Sequence, residues 1–317
     1  MKKSIGTIIT VITALILSVL GFLLGGFQLS ELQIDTLTIL VIVCVISIAY
    51  CFIVGEITGN NSQMDKLWSI LPIVYAWIVV GKSGFNPRLI VMAILISIWG
   101  VRLTLNFAKK GAYSIKFWAG EEDYRWIVLR ANPKLKKRWK WAVFNLLFIS
   151  LYQNVLVLAI SLPLLAVMES TVLFNLFDFI IAALLFGFII LETIADKQQM
   201  EFQVTKYKLL NQGEKLEDLP KPYNLGFSTD GLWARSRHPN YFAEQSIWIV
   251  LYLFCISAGV TNYIFFNWTL IGSMFLILLF IGSSSFSEGI SLQKYPVYQD
   301  YIEKVSKFVP LREYSEN

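Results

Sequence analysis

The sequence predicts an all-α protein built into a membrane: a single bundle of about eight transmembrane helices with both termini in the cytoplasm. Three observations carry this expectation. Of 317 residues, 56% are hydrophobic and only 15% are charged, where a soluble domain carries about 25% charged residues. The mean hydropathy is +0.60, and the apolar residues come in runs close to the ~20 that cross a bilayer as a helix. The basic residues, finally, are segregated to one set of connecting segments.

The candidate spans are 5–27, 36–56, 67–80, 87–105, 141–167, 172–195, 242–258 and 263–284. The first follows Met-Lys-Lys, as a signal peptide would. Its apolar stretch is too long and has no small-residue cleavage site, so an uncleaved helix is expected. The third is short, which suits a re-entrant or tilted segment. Only Lys82 and Arg88, of 27 basic residues, fall on the side opposite the N-terminus. The segment 109–140 holds ten, 197–237 holds seven and the tail holds four. That asymmetry sets the orientation and favours an even number of spans. The net charge of +5 is mostly this topology, with attraction to anionic head groups added. Nucleic-acid binding has no support. Cys44, Cys51 and Cys255 lie inside expected helices, and no Cys/His set has metal-ligand spacing; they read as small packing residues.

No repeat or low-complexity segment is present, and two long cytoplasmic segments stand out. The first, 106–140, contains Glu121-Glu122-Asp123-Tyr124-Arg125-Trp126 and the basic run 134–140, an expected lipid-facing anchor. The second, 196–241, continues span six as a helix and breaks at Asn211-Gln212-Gly213 and at Pro220-Lys221-Pro222. Its stretch 223–231 is expected to form an ordered loop over a site. The tail carries a short amphipathic helix around Tyr295–Tyr301 and stops at Pro310.

The densest polar cluster is 231–245, which holds the only histidine, His238. Pro239 suits a helix start, and Asn240 and Glu244 lie one turn apart after it. A helix N-terminus offers unpaired N–H groups and a positive dipole end, and Arg235 and Arg237 stand just before it. Together these would hold phosphate. A positive-inside anchor explains the arginines but not the added histidine, asparagine and glutamate. On span six, Glu192, Asp196, Gln199 and Gln203 share one helical face; this face is either solvated or turned into a pocket where it accepts ribose hydroxyls. Arg102 and Asn106, one turn apart, either face a cavity or snorkel. Asp123 and Arg125 are a further anion contact or a solvated turn. Asp65, before span three, is a proton donor if buried and a helix-start residue if exposed. Tyr75, Asn145, Tyr152, Gln153 and Asn154 line a channel or pack in hydrogen-bonded pairs.

At these residues the chain resembles the membrane steroid 5-alpha-reductase-like family, in particular the branch known as DUF1295. The resemblance rests on Arg102 to Asn106, Glu122-Asp123-Tyr124-Arg125, Asp196 with its glutamines, Gly231-Leu232-Trp233 with Ser236-Arg237-His238-Pro239-Asn240-Tyr241-Phe242-Ala243-Glu244, and Glu288 with Tyr295-Pro296-Val297-Tyr298 and Phe308-Val309-Pro310. It covers about the C-terminal two-thirds, 86–317, and is weak over 1–85. It implies a helical bundle with a cytoplasmic NADPH pocket and hydride transfer to an electron-poor, enone-type C=C bond of a lipid-like substrate. Carried over, Asp196, Arg237, His238, Asn240, Tyr241 and Glu244 contact or frame the cofactor, with Gln199, Arg235, Arg102, Asn106, Asp123 and Arg125 around them. Asp65 is the expected donor. The implied location is a bacterial inner membrane, with the cofactor on the cytoplasmic side. One departure stands out: the family's eukaryotic enzymes carry a basic, histidine-bearing helix before the final Tyr-Pro, whereas this chain has Gly282-Ser283-Ser284-Ser285-Phe286-Ser287-Glu288. Two other classes compete. Isoprenylcysteine and phospholipid methyltransferases share a similar Arg-His-Pro-x-Tyr element and bind S-adenosylmethionine, but usually with two adjacent glutamates where this chain has Glu288-Gly289. A transporter would place its polar residues near the bilayer midplane and show repeats.

Overall fold

Small residues decide how the first described helix sits. In α1 (Glu31–Thr58), Thr36, Leu40, Cys44, Ser47, Cys51 and Gly55 are buried at spacings of three and four. Ile42, Val45, Ile46, Ile53 and Ile57 face outward. That inverts the soluble pattern and is the arrangement of a helix with lipid on its outer face. Ser30 caps it in a reciprocal box with Gln33, and Gly59, at φ 71°, closes it. The computed structural model describes residues 16, 28–261, 265–311, 313 and 314.

Among these residues the architecture is helical, without β-strands. After α1 come α2 (Gln63–Trp68), α3 (Leu71–Lys82), α4 (Pro87–Lys109), α5 (Tyr124–Ala131) and α6 (Arg138–Phe144). A π-helical stretch, Asn145–Tyr152, joins α6 to α7 (Gln153–Val167). Then follow α8 (Leu176–Asn211), α9 (Pro239–Ser257), α10 (Leu270–Lys294) and α11 (Tyr298–Lys304). Six helical stretches are long and apolar enough to span: Glu31–Thr58, Gln63–Lys82, Pro87–Lys109, Arg138–Val167, Leu176–Asn211 and Leu270–Lys294. The chain is thus an all-helical, multi-pass membrane protein.

Two of the eight expected spans are not among the six. The first, 5–27, lies outside the described residues apart from Ile16. The seventh falls within the helix α9, whose first two turns carry Asn240, Glu244 and Gln245. The third span needs correction in the other direction: α2 and α3 together extend over 20 residues around a break at Ser69–Ile70, so it is not short. The fifth and sixth begin at Arg138 and Leu176, and the last starts at Leu270 and runs on to Lys294.

The chain divides into two compact units, the first Met1–Ala183 with Trp248–Leu276 and the second Leu184–Ile247 with Ile277–Asn317. The division does not fall near residue 85, where the resemblance weakens. In the first unit α1, α3, α7 and the π segment pack together. Gly100 of α4 has no room for a Cβ against the Ser69 carbonyl and Ile73. The loop before α8 is held by Arg88, which forms a two-pronged ion pair with Asp178 at 2.7 and 2.9 Å. The same guanidinium donates to the carbonyls of Val172 and Leu173 at 2.9 and 3.0 Å. In the second unit Phe227, Tyr298, Tyr301 and Val305 form an aromatic core. Gly226, at φ 83°, lies directly on the Tyr295 ring, where any side chain would collide.

Candidate functional site

The polar residues singled out in the sequence fall into two sets, one in each unit. In the second unit, the 231–238 segment is tied down before it enters α9. Trp233 Nε1 donates to the Ala195 carbonyl at 3.0 Å, and Leu232 N donates to Gln198 Oε1 at 3.0 Å. Gly231 has φ 61° and sits against the Gln198 amide, so both its conformation and its neighbour demand glycine. Tyr301 Oη donates to the Trp233 carbonyl at 2.5 Å. The tail runs alongside: Arg237 N donates to Ser306 O at 2.9 Å and His238 N to Lys307 O at 3.1 Å.

Glu288 of α10 gathers the charges of this segment. Its Oε1 accepts from Arg237 Nε at 2.7 Å and pairs with His238 Nε2 at 3.1 Å. Lys307 Nζ stands 3.5 Å from the other oxygen. Arg237 Nη1 donates to the carbonyls of Ile302 and Val305. Both Arg237 and His238 are buried. The expected rim of phosphate-binding groups is therefore largely turned to internal work. Burial pushes the His238 imidazole below its ordinary range; Glu288 opposes this, and Arg237 and Lys307 add to it. The ring stacks on Tyr241, with centroids 5.2 Å apart and planes 12° apart.

The Asp196 face does meet the start of α9. Asn240 Nδ2 donates to Asp196 Oδ1 at 3.2 Å. Gln199, one turn on, has a buried Oε1 with no hydrogen-bond partner. Glu192 and Glu244 are buried too. Arg235 is different. It is exposed and pairs with Glu313 at 3.0 Å, both side chains being 60% or more accessible, so it stands on the surface.

In the first unit, Asp65, Asp123 and Arg125, which the sequence separates into two features, form one network. Arg125 Nε and Nη2 donate to Asp123 at 2.8 and 3.0 Å, and Nη2 stands 3.7 Å from Asp65. Trp126 Nε1 donates to Asp65 Oδ2 at 2.7 Å. Asp123 also caps α5 by accepting from Arg125 N, and its own N–H donates to Ser62 Oγ at 2.9 Å. Burial works against its charge, but the Arg125 charge and hydrogen bonds, with Lys110, outweigh that and hold its carboxyl below the usual range. Around this network the 112–123 loop is clamped to the start of α2. The Lys66 ammonium, fully buried, donates to the carbonyls of Phe117 and Ala119 at 2.7 and 2.6 Å. Gln63 reaches Trp118 O at 2.9 Å, and Glu122 accepts from Asn61 N at 2.7 Å and Arg130 Nη2 at 2.6 Å. Asp65 thus sits as an acceptor inside a loop clamp. Arg102 and Asn106 are half-buried at the end of α4.

Two residues outside the expected cofactor and donor set stand out. Glu288 is one; its signal was a lone carboxylate late in an apolar helix, which demands a partner from elsewhere. The other is Tyr75 of α3. It is fully buried, and its hydroxyl makes no hydrogen bond, with only the weak company of the Cys44 thiol. Asn145 and Asn154, among the other in-span polar groups, have partners. Asn145 donates to Glu56 at 2.8 Å and accepts from Ser150 at 3.3 Å, while Asn154 donates to the Ser150 carbonyl at 2.7 Å.

Comparisons with known proteins agree with the resemblance. No solved structure matches the chain significantly. An uncharacterized protein of the yeast Schizosaccharomyces pombe is 32% identical over 288 residues, covering 84% of this chain and 79% of its own length. The model of the DUF1295 family, described as a protein family of unknown function, matches residues 51–305. The match therefore starts inside α1 and takes in both units, and the chain belongs to the DUF1295 family, as its resemblance to the membrane steroid 5-alpha-reductase-like proteins implied.

Proposed function

We propose that this chain is a membrane-embedded reductase that uses NADPH to reduce an enone-type C=C bond in a lipid-like substrate, with the cofactor on the cytoplasmic side of an eight-span bundle. Membership of a 5-alpha-reductase-like family supports the reaction class. The observation that carries the cofactor assignment is the buried, unpartnered Oε1 of Gln199, one turn from Asp196 and its bond to Asn240. A buried acceptor without a donor is costly, about 1–3 kcal/mol, and a carboxylate beside it makes an acceptor pair suited to ribose hydroxyls.

In this reading Asp196, Gln199 and Asn240 hold the cofactor, whose dihydronicotinamide supplies the hydride. Arg237 and His238 act through Glu288, which fixes the entry of α9. Tyr241, stacked on His238, and Glu244 frame the same entry. The proton donor is better assigned to Tyr75 than to Asp65. Asp65 accepts from Trp126 and stands beside Arg125, whereas the Tyr75 hydroxyl is buried with only the Cys44 thiol beside it. A phenol is a suitable donor to a carbonyl oxygen, where it would offset developing negative charge. Arg102, Asn106, Asp123 and Arg125 take no direct cofactor role in this reading.

The test uses the full-length protein in detergent. NADPH should bind with fluorescence quenching and be oxidised on addition of an enone lipid, and S-adenosylmethionine should not bind. Tyr75→Phe should lower turnover about 10²-fold or more with NADPH affinity unchanged. Binding of S-adenosylmethionine in place of NADPH would overturn the reading, and full turnover in the phenylalanine variant would remove the donor.

A further inference from the structure

The helix α8 is longer than a membrane is thick. From Leu176 to Lys206 it rises about 45 Å at 1.5 Å per residue, against a hydrocarbon layer of about 30 Å. Lys206 therefore stands beyond the apolar run, at head-group depth or past it. A lysine that merely anchors a helix there keeps its ammonium in water. Lys206 is instead 2% exposed.

Its Nζ donates to the Gly226 carbonyl at 2.8 Å and the Tyr295 hydroxyl at 3.4 Å. It lies over the rings of Tyr207, Phe202 and Tyr295, at 4.8, 5.5 and 5.6 Å from their centroids. Lys294, in the last turn of α10, brings a second ammonium to the same Tyr295 and Tyr207 rings, at 5.3 and 6.0 Å. An aromatic box stabilises one cation, but two cations at one box repel. The buried guanidiniums of Arg88 and Arg237 each hold a carboxylate. The interactions of Lys206 and Lys294, by contrast, are with rings, phenols, one carbonyl and each other, with no carboxylate among the described residues. Lys294 and Tyr207 are exposed, so the pair is reachable from outside. Two ammonium groups and two phenolic hydroxyls converge with no anion of the protein's own among the described residues.

We infer that Lys206 and Lys294, with the hydroxyls of Tyr207 and Tyr295, form a binding site for a phosphate group. All four residues belong to the second unit, and Lys206 lies ten residues beyond Asp196 on the same helix, about 15 Å along its axis. The phosphate belongs either to a dinucleotide held at Asp196 or to an anionic lipid head group. The site stands on this convergence of charge and does not depend on hydride chemistry.

Inorganic pyrophosphate, titrated calorimetrically into the full-length protein in detergent, is the first probe. Wild type should bind it. Lys294→Met, a change at an exposed position, should weaken binding at least about tenfold, and Lys294→Arg should retain most of it. Lys206→Met should match Lys294→Met wherever its melting curve matches wild type. Two further arms identify the source. A tenfold loss of NADPH affinity in the Met variants assigns the phosphate to the dinucleotide. Unchanged NADPH affinity with reduced retention of phosphatidylglycerol, in nanodiscs of phosphatidylcholine and phosphatidylglycerol, assigns it to lipid. Either result supports the site. Absence of pyrophosphate binding to wild type overturns it, as do folded Met variants that bind pyrophosphate, NADPH and phosphatidylglycerol like wild type. If wild type fails to bind NADPH, the reductase reading fails while the pyrophosphate and lipid arms still decide this one.

Discussion

Each unit of this protein buries an arginine against a carboxylate, and the two pairs are built differently. Arg88 and Asp178 in the first unit are 1% and 0% exposed and meet one to one, with two backbone carbonyls and the Ser170 hydroxyl taking the remaining guanidinium protons. Glu288 in the second unit is shared by Arg237, His238 and Lys307. The first pair is electrically closed and holds one loop. The second is cation-rich and joins α10, the entry of α9 and the tail, next to the Asp196–Asn240 contact. Burial of an ion pair therefore does not by itself mark a functional site; an excess of one charge sign around a single carboxylate is the more informative feature, because it leaves an incompletely balanced field for a ligand.

Removing one partner is the strongest way to break the comparison. Arg88→Met leaves Asp178 buried and unpaired and should cost about 3–5 kcal/mol, read as a large drop in melting temperature and folded yield. Arg237→Met should cost less, because Glu288 keeps His238 and Lys307. If the two variants melt alike, the distinction between a closed and a shared pair is wrong. Glu288→Gln comes next. It keeps the shape but loosens both Arg237 and His238, and NADPH affinity should fall about tenfold, in line with loss of a charge-assisted hydrogen bond; wild-type affinity would separate this cluster from the cofactor.

Acid provides a third, smaller effect. His238 has a native pKa below its ordinary value of about 6.5. As the pH falls below about 6.5 the unfolded chain takes up this proton first, so stability declines until the depressed native value is reached. His238→Gln should remove that decline from the pH dependence of melting. Asp123 behaves with the carboxylate sign: its contribution is complete above about pH 4 and is lost as the pH drops through its lowered native value. Asp123→Asn should flatten that more acidic part of the profile and leave the His238 part intact. The smallest effect belongs to Arg235→Ala. Its exposed pair with Glu313 is worth at most about 1 kcal/mol, and a marked loss of cofactor affinity would restore the phosphate contact that the sequence suggested.

Much of the helical layout was legible beforehand because it follows from local composition. Long apolar runs and basic loops announced the spans, the Asn211-Gln212-Gly213 break ended α8 where expected, and Cys44 and Cys51 do share the buried face of α1. The pairing of Asp196 with Asn240 matched two features that each looked functional alone. What stayed hidden was the assignment of partners. For Arg237 and His238 the partner in the fold is Glu288, some fifty residues on, which spacing could not show. In the same way, spacing did not show that Trp126 and Arg125 fold back onto Asp65.

By itself, then, the sequence determined an all-helical membrane protein, its approximate spans, and the segment where polar chemistry concentrates. Those properties depend on hydropathy and on neighbours within a few residues. Only tertiary structure decided which charges are neutralised inside the protein and which are left over for a ligand. Electrostatic energy depends on distance through space and on exclusion of water, and neither is encoded by spacing along the chain. The contrast between Arg237, held by Glu288, and the lysine pair at Tyr207 and Tyr295, held by no carboxylate among the described residues, exists only once α8, α10 and the tail have come together.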